Sequence, residues 1–180
     1  MKIALLGWGS LIWDARELPR EGVWQEGGPV LPIEFSRVSQ DCRLTPVIDP
    51  VNGTQTLTRF VMSPRADLDD AIRDLATREG TNTNRIGFVD LGRGESRCAA
   101  GGTIAEAIRK WAREKAFDAV VWTDLPSNFA EETGQPFSVE NAQRYLEGLP
   151  STAKTNALKY ISNALPAVST PLRRRLSATG

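Results

Sequence analysis

The stretch MKIALLGWGSLIW (1–13) admits two readings, and the fold depends on which one holds. Its apolarity and single lysine resemble a secretion signal. Gly7 and Gly9 interrupt the apolar run, however, and no small-residue cleavage site follows. Residues 2–7 (KIALLG) therefore read as a first β-strand, entering a turn where two glycines flank Trp8 and Ser10 follows.

Further along, LPIEFSRV (31–38) alternates, with Leu31, Ile33 and Phe35 on one face and Glu34 and Ser36 on the other. CRLTPVI (42–48) and TQTLTRFVM (54–62) flank the turn residues Asp49 to Gly53, which reads as a hairpin or meander. Pro46 marks a bulge or an edge in the first of them. A helix is expected from about Ala66 to Arg78, stopped by Gly80, with a strand at 85–91 after it. Thr103 and Glu106 have capping-box spacing ahead of IAEAIRKWAREK, and FDAVVWT (117–123) is the last strong strand. Helices at 138–149 and 152–165 follow, then a short basic tail with Arg173, Arg174 and Arg175, read as a solvated terminus.

Strands thus dominate the first half and helices the second. The expected fold is α+β, with a mixed, partly closed, barrel-like sheet, flanking helices and a helical C-terminal third. At 180 residues and 41% hydrophobic content, one domain over 1–180 is the expectation.

Composition narrows the chemistry. Twenty-two basic and twenty-two acidic residues cancel, so no general pull toward nucleic acid or an anionic membrane is expected, and the partner sought is a small molecule. No run approaches the roughly 20 apolar residues that span a bilayer. Cys42 and Cys98 are too few for a disulfide scaffold and lack zinc-type spacing, so a soluble cytoplasmic protein is expected. There is no histidine, which removes Ser-His-Asp and Cys-His schemes and His-bearing metal sites. Proton transfer near neutral pH then falls to a carboxylate, a lysine, a tyrosine or a cysteine.

Two features carry the candidate site. The glycine turn after the first strand could offer the N–H groups of Gly9, Ser10 and Leu11 to a carboxylate or an oxyanion; it could equally be a plain turn. It has neither the third glycine of a dinucleotide fingerprint nor the Gly-Lys-Ser/Thr of a phosphate loop. The second feature is Glu79. Leu68, Ile72 and Leu75 form an apolar helical stripe, and Glu79 continues it at the helix C-terminus. Burial and the helix dipole both oppose a charged carboxylate there, so its pKa is expected to rise from about 4.3 toward the range of a useful base. The alternative is a frayed last turn, with Glu79 in solvent or paired with Arg78 or Arg85. Asp124 reads as a strand-end acid or a turn residue, and Arg37 as a receptor for a substrate carboxylate or a surface ion-pair partner. Trp111 and Trp122 read as core.

GWGSLIW after a first strand, LPIEFSRVS and LTPVIDP in the sheet region, and LATREG about seventy residues beyond the loop together resemble the gamma-glutamylcyclotransferase-like family. The layout is closest to its ChaC branch, which opens with a Tyr-Gly-Ser-Leu loop and carries its base in an Arg-Glu pair closing a helix. The resemblance covers roughly residues 3–90. It implies a substrate-cradling loop at Trp8, Gly9, Ser10 and Leu11, and a catalytic glutamate at Glu79. It also implies release of 5-oxoproline from a γ-glutamyl amide by attack of the substrate's own α-amine, with no cofactor and no metal. Trp8 stands where the branch has tyrosine, and GTNTNR (80–85) departs from its Gly-Tyr and threonines, so the leaving amine is not set. Two other classes stay open: a non-catalytic module binding an anionic γ-glutamyl metabolite, and a homo-oligomer assembling through its helical C-terminal third.

Overall fold

The computed structural model describes residues 1–178. Its first strand, β1 (Ile3–Gly7), is buried along its whole length. On one edge it runs parallel to β7 (Ala119–Thr123), with Ile3 opposite Ala119 and Leu5 opposite Val121. On the other edge it is antiparallel to β4 (Thr54–Met62), with Leu5 opposite Val61 and Gly7 opposite Arg59. With β2 (Glu21–Val38), β3 (Leu44–Ile48), β5 (Ile86–Asp90) and β6 (Ser96–Arg97), the strands follow the order β3-β2-β4-β1-β7-β5-β6.

The α+β class and the mixed sheet are as expected. The row of strands does not close into a barrel. Its outer strands are short, five residues in β3 and two in β6, and Pro46 brings no N–H to the β3 ladder. The expected hairpin is also corrected: β3 and β4 lie on either side of β2 rather than beside each other. Asp49 makes the connecting turn, accepting the N–H groups of Val51 and Asn52 on its carboxylate and that of Gly53 on its carbonyl. The β2–β3 register shifts between Glu34 and Arg37, beside Pro46, so that residue marks both a bulge and an edge.

The chain forms two compact units. The first comprises residues 1–30 and 57–125. In it, α1 (Leu68–Glu79) buries Leu68, Ala71, Ile72, Leu75 and Ala76 against Ile3, Leu5, Val61, Ile86 and Val121. Side chains alternate across a strand, so Phe60 lies on the opposite face. There it meets Trp111 of α2 (Gly102–Glu114) edge-on at 5.2 Å, and Trp111 stacks on Phe117 at 5.4 Å. Asp67 caps α1 at its start, and Gly80 ends it at φ 64°, as expected. The expected capping box of α2 does not form. Gly101, at φ 99°, turns the chain into the helix with no side-chain cap, Thr103 lies inside the helix, and Glu106 pairs instead with Arg109 and Arg113.

The second unit comprises residues 31–56 and the chain from 126 onward. Its helices are α3 (Phe129–Thr133), α4 (Val139–Glu147), α5 (Ser151–Ser162) and α6 (Pro171–Ala178). Both faces of β2 are buried here: Glu34 and Ser36 are as inaccessible as Leu31 and Ile33, with Thr170 and Leu172 at the start of α6 facing Glu34. The basic tail is therefore a solvated terminus only in part: Arg174 and Arg175 are exposed, but Arg173 is tied down. Pro171 starts a helix, Leu172 is buried, and Arg173 donates to the carbonyls of Ser162, Ala164, Leu165 and Val168.

Candidate active site at the end of the first strand

β1 and β7 are parallel, so their carboxyl ends emerge at the same level. Extending the register by one pair of steps puts Gly7 beside Thr123. The chain turns at once after Gly7. A Cβ there would meet Trp24 Cζ3 at 2.9 Å and Ile12 Cγ1 at 3.2 Å, so only glycine lets the turn fold this tightly onto the strand end. The turn closes with bonds from Ile12 N–H to the Gly9 carbonyl (3.1 Å) and from Asp14 N–H to the Ser10 carbonyl (2.7 Å). Trp8 and Leu11 are buried and pin the turn, while Gly9 and Ser10 stay half-exposed. The turn's own bonds use the N–H groups of Ile12 and Asp14, not those of Gly9, Ser10 and Leu11.

Glu79 is the last residue of α1, and its side chain is 18% exposed, so the frayed outward conformation is not adopted. Its Oε1 accepts from Arg78 Nη1 at 2.8 Å and from Thr123 Oγ1 at 3.1 Å. Both bonds end on Oε1. Burial and the helix dipole are therefore not alone in acting on this carboxylate, because a guanidinium and a hydroxyl also hold it. Of the two arginines weighed from the sequence, Arg78 is the partner.

Sequence reasoning offered Arg78 as an ion-pair partner for Glu79 and missed its bonds to the glycine turn. The Arg78 side chain is only 4% exposed. While Nη1 holds Glu79, Nη2 donates to Ser10 Oγ at 3.5 Å and to the Asp14 carbonyl. In return, Arg16 Nη1 donates to the Arg78 carbonyl at 3.3 Å. A signal was available: Arg78 lies seven residues after Ala71 and three after Leu75, on the buried side of the helix. Thr123 was recognised as the end of a strand but not as a site residue; its signal is the parallel pairing with β1, which sequence alone does not disclose.

The other expected residues have partners of their own. Arg37 belongs to the second unit, where Nη1 donates to the Pro126 carbonyl at 2.7 Å. Asp124 is buried and acts as an anchor, accepting from Ala99 N–H at 2.6 Å and Trp122 Nε1 at 3.2 Å. Burial raises its pKa above the usual carboxylate value, and burial with this neighbouring carboxylate pushes the Cys98 thiol up to about 11. Trp111 and Trp122 are core, as expected. Among the described residues, no group of three or more Cys, Asp or Glu side chains is placed to hold a metal ion, and no helix is long and apolar enough to cross a membrane.

No family model, curated protein or solved structure matches this chain.

Proposed function

We propose that this chain is a gamma-glutamylcyclotransferase-like enzyme that releases 5-oxoproline from a small γ-glutamyl amide or peptide, with Glu79 as general acid/base. One observation carries the reading: a single guanidinium, that of Arg78, touches both Ser10 in the glycine turn and Glu79. The two features singled out independently in the sequence thus lie one side chain apart, at the carboxyl ends of parallel strands, where α/β folds commonly place ligands.

The chemistry asks little of the protein. Glu79 Oε2 takes a proton from the substrate's α-ammonium, and the freed amine attacks the γ-carbonyl carbon. A carbon–nitrogen bond forms to close the five-membered ring, the bond to the leaving amine breaks, and that amine receives the proton from Glu79; the ring nitrogen then gives up its second proton, which completes the released ammonium. The N–H groups of Gly9, Ser10 and Leu11 supply donors for the α-carboxylate or the developing oxyanion. Attacking and leaving groups belong to one substrate, so orientation provides much of the acceleration, and no metal or cofactor has a part. Arg37 has no role in this proposal, because its Nη1 is already engaged by Pro126. A cytoplasmic setting suits a small amino-acid-derived substrate.

The test is a panel of γ-glutamyl amides and peptides assayed for 5-oxoproline. Glu79→Gln keeps an oxygen for Arg78 and Thr123, so folding is expected to persist while release falls by about 10²–10⁴-fold, the usual contribution of a general acid/base. Release unchanged in that variant would remove Glu79 from the mechanism. The double anchoring of Oε1 also favours a second reading, a binding module in which Glu79 is structural. Thermal stabilisation by γ-glutamyl compounds with no turnover would select it.

A further inference from the structure

Arg78 is a nearly inaccessible cation whose ion-pair partner among the described residues is Glu79. Its other contacts, Ser10 Oγ and the Asp14 carbonyl, are neutral acceptors on the glycine turn, and its Nε makes no hydrogen bond among the described residues. Desolvating a guanidinium costs several kcal/mol unless partners compensate. A buried arginine with one nitrogen unpaired is a costly way to fill a core position, where leucine or methionine would pack without penalty. What arginine alone supplies is a rigid planar fork whose two terminal nitrogens can serve two segments at a fixed spacing.

Its two sides differ in what they hold. Nη1 holds Glu79 Oε1, which also accepts from Thr123, so two bonds from different elements restrain the carboxylate at that oxygen. Nη2 holds the turn that carries the N–H groups of Gly9, Ser10 and Leu11, and the return bond from Arg16 to the Arg78 carbonyl ties the same segment a second time. We infer that Arg78 is the positioning residue of this site, setting the spacing between the glycine-turn donors and Glu79 Oε2. The inference rests on the proposed reaction for its catalytic meaning, but the coupling of turn to carboxylate can be measured without turnover.

Lysine separates the two duties. It has one nitrogen, and Glu79 is the carboxylate that Arg78 pairs with in the structure, so Arg78→Lys is expected to keep that pairing and give up the turn. Arg78→Gln gives up both. For a γ-glutamyl substrate that wild type turns over, Arg78→Lys is expected to raise KM about tenfold with kcat held within about threefold, whereas Arg78→Gln loses about 10- to 100-fold in kcat/KM with kcat falling too, as for lost hydrogen bonds to a charged group. In parallel, amide exchange at Ile12 and Asp14, whose N–H groups close the turn, is expected to quicken about tenfold or more in both variants while β1 and β7 stay protected.

Both variants are first checked for a cooperative thermal transition; should Arg78→Gln fail to fold, Arg78→Lys carries the test. Equal losses of kcat in the two variants, or unchanged exchange at Ile12 and Asp14 in folded Arg78→Lys, would overturn the inference. If wild type releases no 5-oxoproline from any panel member, the proposed reaction fails, and the exchange measurement still decides for or against Arg78 as the coupling element.

Discussion

Replacing Gly87 by alanine adds one methyl group at the place in the first unit least able to accept it. Gly87 of β5 lies directly opposite Trp122 of β7. An ideal Cβ there would fall 2.3 Å from Trp122 Cε2, 2.4 Å from Nε1 and 2.6 Å from Cζ2. The indole lies flat across the glycine, completely buried, with its N–H on Asp124. Neither backbone can yield, because both strands are inner members of the sheet. The indole must turn, which overpacks its surroundings at a cost of about 1–3 kcal/mol. Turning also removes the N–H from a buried carboxyl group, a further loss of about 1–2 kcal/mol. Gly87→Ala is therefore expected to lose about 2–5 kcal/mol of stability, or about 5–15 °C in Tm for a chain of this size.

Urea unfolding read in parallel by tryptophan fluorescence and far-UV circular dichroism measures this, two probes being needed because two compact units can melt separately. Gly92→Ala is the control: its Cβ would meet only Asp90 Oδ1 at 3.5 Å, an ordinary contact, so stability should move by less than about 0.5 kcal/mol. The residue after Trp122 is Thr123, which holds Glu79 Oε1, so Gly87→Ala should also reduce 5-oxoproline release in the protein that remains folded. A Gly87→Ala protein as stable as the control, with an unchanged near-ultraviolet tryptophan spectrum, would refute the placement of the indole and with it the route from β7 to the site.

Two more predictions concern the second unit. Burial raises the pKa of Glu34 above the usual carboxylate value, with Asp49 adding to the rise, while the Thr170 hydroxyl and the N–H groups of Phe35 and Leu172 restrain it. The folded protein then keeps this proton to higher pH than the unfolded chain. Its contribution to stability is complete below about pH 4.3 and is lost as pH rises through the elevated folded value. Glu34→Gln removes that loss, so the variant should gain on wild type as pH rises in urea titrations from pH 4 to 8; a constant difference across that range would refute it. Asp49 works the other way: burial opposes its charge, but the N–H of Asn52, the Ser36 hydroxyl, the Asn52 amide and the N–H of Val51 hold its pKa below the usual value, so its contribution is present above about pH 3.9 and fades in acid. Arg173→Met strips the donors from four carbonyls between Ser162 and Val168 and should cost about 2–3 kcal/mol in a thermal melt, whereas Arg174→Met, which frees only the Ser169 carbonyl on an exposed surface, should cost under about 0.5.

Local signals survived into the structure and pairwise ones did not. The α1 stop could be read because Gly80 alone provides the left-handed residue, and β1, β4 and β7 could be read because their apolar runs are short and bounded. The supposed hairpin failed for a reason no local pattern reveals. The Asp49–Gly53 turn is well formed, yet it carries the chain from one side of β2 to the other, and strand order is a property of the whole sheet. Glu34 and Ser36 alternated correctly with Ile33 and Phe35, but alternation states only that two faces differ. It does not state that the start of α6, more than 130 residues later, will cover the polar one.

The candidate site shows the same division at smaller scale. Gly9, Ser10 and Glu79 were legible one at a time, since a glycine turn and a carboxylate on an apolar stripe are each local anomalies. The bridge from Arg78 to the turn was not, because arginine beside the end of a helix is ordinary: its charge suits the C-terminal dipole and its long stem normally carries that charge to water. Only the return of residues 10–16 over the end of α1 makes the head group turn inward, toward Asp14 and Ser10. The anomaly at Glu79 is then resolved rather than removed. A glutamate can close the apolar stripe there because the turn at residues 10–16 holds a cation beside it. In the proposed reaction turn and base are one device, joined through Arg78; the lysine substitution, which keeps the cation and releases the turn, pulls them apart.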